Sequence, residues 1–199
     1  MNFRSVNLAL ALAVATPTLP AYASPWPDSI FDGASPQVLA EVHAHHLLVS
    51  EAEGYLSPCT GMDADTERGC LFSQYNFVMD YIYAVYNEYS SQTNIAYLLS
   101  GDGNPPRNLT PGDSELGINP DPTLGCAWRI MAIIGGNAGF DNDTLDNYKQ
   151  DCLALSADAQ QSANDIANSQ LMLEITSHLK KGDAPFDIYT GAPAGKSPN

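Results

Sequence analysis

Basic side chains are scarce in this sequence: 8 lysines and arginines stand against 23 aspartates and glutamates in 199 residues, a formal net charge of −15. So acidic a surface repels phosphate backbones unless its cations cluster, and only Lys180 and Lys181 adjoin, so no nucleic acid partner is expected. Long apolar runs are also missing. Beyond the first 23 residues nothing approaches the roughly 18 residues that span a bilayer, so no membrane insertion is expected. No C-x-x-C pair is available for zinc, no H-E-x-x-H for a metalloprotease and no G-x-S-x-G for a hydrolase elbow. No alternating strand pattern occurs, and no cofactor is implied.

The N-terminal segment has the layout of an export signal. Arg4 supplies a basic start, Val6 to Ala15 an apolar run, and Ala21-Tyr22-Ala23 a small-x-small cleavage site before Ser24. Residues 1–23 are therefore expected to be removed, leaving a periplasmic or secreted protein. No cysteine follows the cut, so no lipid anchor is expected. In such a compartment the four cysteines, Cys59, Cys70, Cys126 and Cys152, are expected to pair. Three pairings are possible. The simplest, Cys59 with Cys70 and Cys126 with Cys152, is the one expected, each bridge contributing on the order of 3 kcal/mol.

Helical signals fill residues 24–181, read as a single domain, with an irregular arm at Ser24 to Ala34 and a disordered tail over 182–199. Ser35-Pro36 combines a capping serine with proline at the first position, and Val38, Val42, Val49, Ala52 and Leu56 share one stripe of a helix reaching Gly54. The segment between Cys59 and Cys70, with Asp63, Asp65 and Glu67, reads as a solvent-facing loop. A second helix is expected from Leu71 to about Tyr89 and a third from Gln92 to Ser100, ending at Gly101-Asp102-Gly103. A long loop follows. Asp121-Pro122 opens a fourth helix to Ile134, Asp141 to Asp143 a fifth to Leu155, and Ser156 a sixth from Ala157 to about Leu179. The fold class is all-α, packed antiparallel helical hairpins stapled by disulfides.

Within this pattern, Gly117-Ile118, Asp121, Trp128, Ala132 and Gly136 stand at the offsets of one half-unit of the Sel-one-like repeat, which the stretch resembles. Gly136-Asn137-Ala138 is similar to that family's turn into the next helix, and Ile95-Ala96 with Gly101 to Gly103 matches the preceding half more loosely. The resemblance covers residues 93–138, with Asn104 to Leu116 as an insertion and Gly125 where the family has alanine. It implies a tetratricopeptide-like stack in which Asp121 caps, Trp128 fills the space between paired helices and Ala132 permits close approach. It also implies a non-enzymatic module that mediates protein–protein interaction with an unidentified protein partner.

Three groups bear on chemistry. His43 and His46 share a helix flank and could offer two ligands to zinc or copper, the basis of an alternative reading as a metal-binding or metal-dependent protein; His45 lies on the apolar stripe beside Glu41. Asp63, Asp65 and Glu67 alternate as in calcium loops, but the required glycine and terminal glutamate are missing. Tyr75, Tyr81, Tyr83, Tyr86 and Tyr89 crowd one helix, and Tyr81 and Tyr83, off the apolar stripe, are the expected partner-binding pair. No catalytic residue is assigned. Asn108-Leu109-Thr110 and Asn142-Asp143-Thr144 are glycosylation acceptor patterns.

Overall fold

The computed structural model describes residues 28–31, 33–59, 63–101, 116–135 and 142–182. The export segment 1–23, residues 104–115 of the insertion, the Asn108 acceptor site, Asp102, Gly103, Gly136 to Asp141 and the tail after Gly182 lie outside the described residues. Among those described, regular structure is helical, with one isolated antiparallel bridge between Leu56 and Ile118.

Helices α1 (Pro36–Ala44) and α2 (His46–Glu53) replace the one helix expected from Ser35 to Gly54. The Ser35 hydroxyl caps α1 by accepting the Val38 N–H at 3.3 Å, as expected. The break falls at His45, with φ −109° and ψ 28°. Its Nε2 lies 3.3 Å from the Glu41 carboxylate and its Nδ1 3.4 Å from the Tyr86 hydroxyl. Two partners on different elements hold the imidazole, and the backbone leaves helical geometry to serve both.

Helix α3 (Ala64–Val85) starts well before Leu71. Asp63 caps it, accepting the Asp65 and Thr66 N–H groups at 3.1 Å each, and Asp65 and Glu67 occupy the first turn, where the helix dipole favours negative charge. The acidic stretch is exposed, as expected, but it is a helix start rather than a loop. Tyr86 to Glu88 then turn the chain, Asn87 taking φ 65°, into α4 (Tyr89–Ser100), which closes at Gly101 with φ 89°. Helix α5 (Pro122–Ile134) begins as expected, with Asp121 accepting the Leu124 N–H at 3.0 Å. Helices α6 (Asn142–Leu153) and α7 (Ala157–Ile166) follow; α7 runs through a wider π turn (Ala167–Leu171) into α8 (Met172–Lys181) as one rod.

Helix α4 packs on both α3 and α5, α5 also on α6 and α7, while α2 and α8 both lie against α3. Trp128, Phe77, Ile82, Ile95, Leu99 and Ile118 are wholly buried where these layers meet. Gly125 permits the tight α4–α5 contact: a Cβ there would lie 2.8 Å from the Ser100 nitrogen and 3.0 Å from the Ala96 oxygen. Cross-links hold the two ends of the layer. The disulfides pair Cys59 with Cys70 and Cys126 with Cys152, the sequential pattern. Beside the first, the buried Gln74 amide donates to the Ser57 and Gly117 carbonyls at 2.6 and 2.9 Å. Beside the second, Arg129 and Asp151 form a buried ion pair, Nη2 to Oδ2 at 2.7 Å and Nε to the same oxygen at 2.9 Å.

Candidate functional site

The expected partner-binding tyrosines require correction. Tyr81 and Tyr83 retain only 3% and 7% exposure, so neither offers a contact surface. Wheel geometry marks them as off the stripe because it assumes one apolar face, whereas α3 is covered by α2, α4 and α8 on different sides. His43 and His46 are exposed and belong to separate helices, α1 and α2, so the shared flank assumed for them is interrupted at His45. Among the described residues no group of three or more His, Cys, Asp or Glu side chains is placed to hold a metal ion.

The residues behind the repeat resemblance are structural in place. Gly117 has φ 64°, and a Cβ there would stand 2.5 Å from both the Cys70 sulfur and the Gln74 Nε2. Asp121 caps α5, Trp128 and Ala132 are wholly buried, and Gly136 lies outside the described residues.

A polar seam runs where α2 and α8 flank α3. At one end the Tyr86 hydroxyl lies 3.4 Å from His45 Nδ1 and 3.2 Å from His178 Nδ1, with both imidazoles edge-on to its ring at centroid distances of 5.4 and 5.1 Å. One phenol thereby ties three helices. The phenol oxygen is thus within hydrogen-bond reach of a ring nitrogen of each histidine, the imidazole tautomers setting which atom donates.

Farther along the seam stand Glu51 and Tyr55, from α2 and the turn after it, Tyr81 from α3 and Glu174 from α8. The Tyr55 and Tyr81 ring centroids are 6.4 Å apart, and Phe77 and Trp128 complete the aromatic cluster at 6.3 and 5.9 Å from Tyr81. Partial burial, and then the negative charge of Glu51, push the Glu174 carboxyl up to about 7. Burial alone raises Glu51, which is exposed as a residue yet has its carboxyl partly desolvated against the seam. Burial, then Glu51, Glu174 and Tyr55, raise the Tyr81 phenol, keeping it neutral. Tyr55 is raised by burial, then by Asp121 and Glu51. Among the described residues, none of the Glu51, Tyr55, Tyr81 and Glu174 side chains is held by a hydrogen bond or an ion pair.

A second perturbed carboxyl lies elsewhere. Asp80, between α3 and α4, is pushed up to about 6 by burial, against the opposing hydrogen bonds from Ser91 Oγ at 3.0 Å and Asn94 Nδ2 at 3.2 Å. Its partners are supplied within the α3–α4 hairpin, so its role is to join that hairpin. The seam differs in having two carboxyl groups and two phenols that no hydrogen bond or ion pair holds among the described residues.

Sequence reasoning missed the seam residues because they are remote along the chain. Glu174 and His178 are four apart on one face of α8, while Glu51 lies near the end of α2 and Tyr55 in the turn after it. Nothing in the sequence joins the two segments. No family model, curated protein or solved structure matches the chain.

Proposed function

We propose that the chain is a non-enzymatic helical module that acts outside the cytoplasm, is related in architecture to Sel-one-like repeats, and binds a protein partner through the seam between α2 and α8. The observation that carries this reading is the pair of carboxyl groups, Glu51 on α2 and Glu174 on α8, that no hydrogen bond or ion pair holds among the described residues, in a chain of net charge −15. Like charges without partners oppose folding, and a basic partner would offset them. The two disulfides and the buried Arg129–Asp151 pair supply a stiff support. A stiff helix face loses little entropy on binding, and a strongly acidic one draws a basic partner by long-range attraction.

The test is affinity capture from the extracytoplasmic fraction of the source cells, with wild-type chain and the charge-reversed Glu51→Lys plus Glu174→Lys variant side by side. A basic protein retained by the wild type and lost by the variant supports the reading. Identical captured sets with both baits would refute the seam as the interface.

A further inference from the structure

We infer that His45, Tyr86 and His178 form a binding site for one transition-metal ion of the kind imidazoles favour, Zn²⁺ or Cu²⁺, with the Glu41 carboxylate behind His45. The inference goes beyond the binding-module reading and does not depend on it.

The three donor atoms come from separate places in the fold: His45 Nδ1 from the break between α1 and α2, the Tyr86 oxygen from the end of α3, and His178 Nδ1 from the last turn of α8. The two nitrogens stand 3.4 and 3.2 Å from the one oxygen. Hydrogen bonds between a hydroxyl and a nitrogen are best near about 2.8–3.0 Å, so both contacts are long for that purpose. Donors about 2.0–2.1 Å from a tetrahedral ion are separated from one another by about 3.3 Å. Both spacings match that edge.

Glu41 is a second, independent sign. Its carboxylate lies 3.3 Å from Nε2, the other ring nitrogen of His45. A metal-ligating histidine almost always gives its second N–H to a carboxylate, a carbonyl or water, which fixes the tautomer and leaves the first nitrogen with a lone pair for the ion. Here that arrangement puts the proton on Nε2 and the lone pair on Nδ1, on the side of Tyr86.

The donor chemistry selects the ion. Two imidazoles and a phenolate suit zinc or copper, whereas calcium and magnesium demand oxygen ligands. All four cysteines are held in the two disulfides, so no thiolate competes. Among the described residues no third His, Cys, Asp or Glu joins the two histidines, and the phenol supplies the third donor. Its proton passes to solvent as the oxygen takes the metal, and three protein ligands leave a fourth position for water. Approach is past His178, the partly exposed member of the set, since His45 and Tyr86 are buried.

The test titrates the chelator-stripped full chain, disulfides intact, with Zn²⁺ by calorimetry and with Cu²⁺ by absorption spectroscopy. Expected are one ion per chain, heats that vary with the buffer as the phenol proton is released, and a phenolate-to-copper charge-transfer band. His178→Ala should weaken binding of either ion about a hundredfold, Glu41→Gln about tenfold with the band kept, and Tyr86→Phe should abolish the band. His43→Ala with His46→Ala, at exposed positions of α1 and α2, should alter neither the stoichiometry nor the band. Zn²⁺ should raise the urea midpoint of the wild type more than that of His178→Ala, a comparison each protein makes against its own metal-free form. Absence of binding, full-strength binding by His178→Ala, a copper band that survives Tyr86→Phe, or loss of binding in the His43 and His46 double variant each overturns the site.

Discussion

Glu174→Gln should make this protein more stable at pH 8 and leave it unchanged at pH 5. The carboxyl of Glu174 ordinarily titrates near 4.5 and here holds its proton to about 7. A group raised on folding favours the native state while protonated, and that advantage fades as pH rises through its folded value. Stability associated with Glu174 is therefore fully present below about 4.5 and lost progressively up to and beyond 7. At 1.36 kcal/mol for each factor of ten, complete burial would set the difference near 3 kcal/mol. Much of the side chain still meets water, and screening reduces the figure to about 1–1.5 kcal/mol. Glutamine has the same shape and no charge, so it removes this penalty at pH 8 and matches the protonated acid at pH 5. Urea unfolding at the two pH values, wild type against variant, reads the effect as a midpoint shift at constant slope. Asp80, pushed up to about 6, tilts the stability of both proteins in the same direction and cancels in the comparison. A variant that is less stable than wild type at pH 8 would refute the reasoning, because Glu174 would then be a paired charge and the seam would already be satisfied.

Three further outcomes follow from the packing. Gly117→Ala should destabilise by about 3 kcal/mol or more, since φ 64° disfavours any side chain and the new Cβ would collide with the Cys70 sulfur and Gln74; a change below about 1 kcal/mol in chemical unfolding would show that the loop shifts freely. Asp151→Ala should cost about 3–5 kcal/mol by stranding a buried guanidinium, whereas Arg129→Met with Asp151→Leu should restore most of it, and similar losses in both would contradict the account. Tyr86→Phe removes the hydroxyl shared by His45 and His178 and should cost about 1–2 kcal/mol; hydrogen exchange should quicken at the α1–α2 break and in α8 but not in α5, and uniform acceleration would refute a local tie.

How far the chain discloses itself depends on the range of the interactions involved. Ser35, Asp121 and Ser156 cap their helices through N–H groups three residues on, so the starts of α1, α5 and α7 were legible from spacing alone. The all-helical class followed from periodicity, and the sequential disulfides from pairing the nearest cysteines. Contacts between distant segments were not legible. Tyr86 reaches back 41 residues to His45 and forward 92 to His178, and the first of these contacts breaks a helix that local pattern would continue. Tyr81 and Tyr83 read as exposed because a wheel knows one neighbour, while α2, α4, α8 and the short helix Asp28–Phe31 all pack on α3. The starts of α1, α5 and α7 and the helical class were settled by the sequence itself, since caps and apolar stripes act within a turn or two of the residues that carry them. The seam was decided only by the tertiary structure: Glu51 and Glu174 become neighbours when α2 and α8 both settle on α3, and no rule of local spacing relates residues so far apart along the chain.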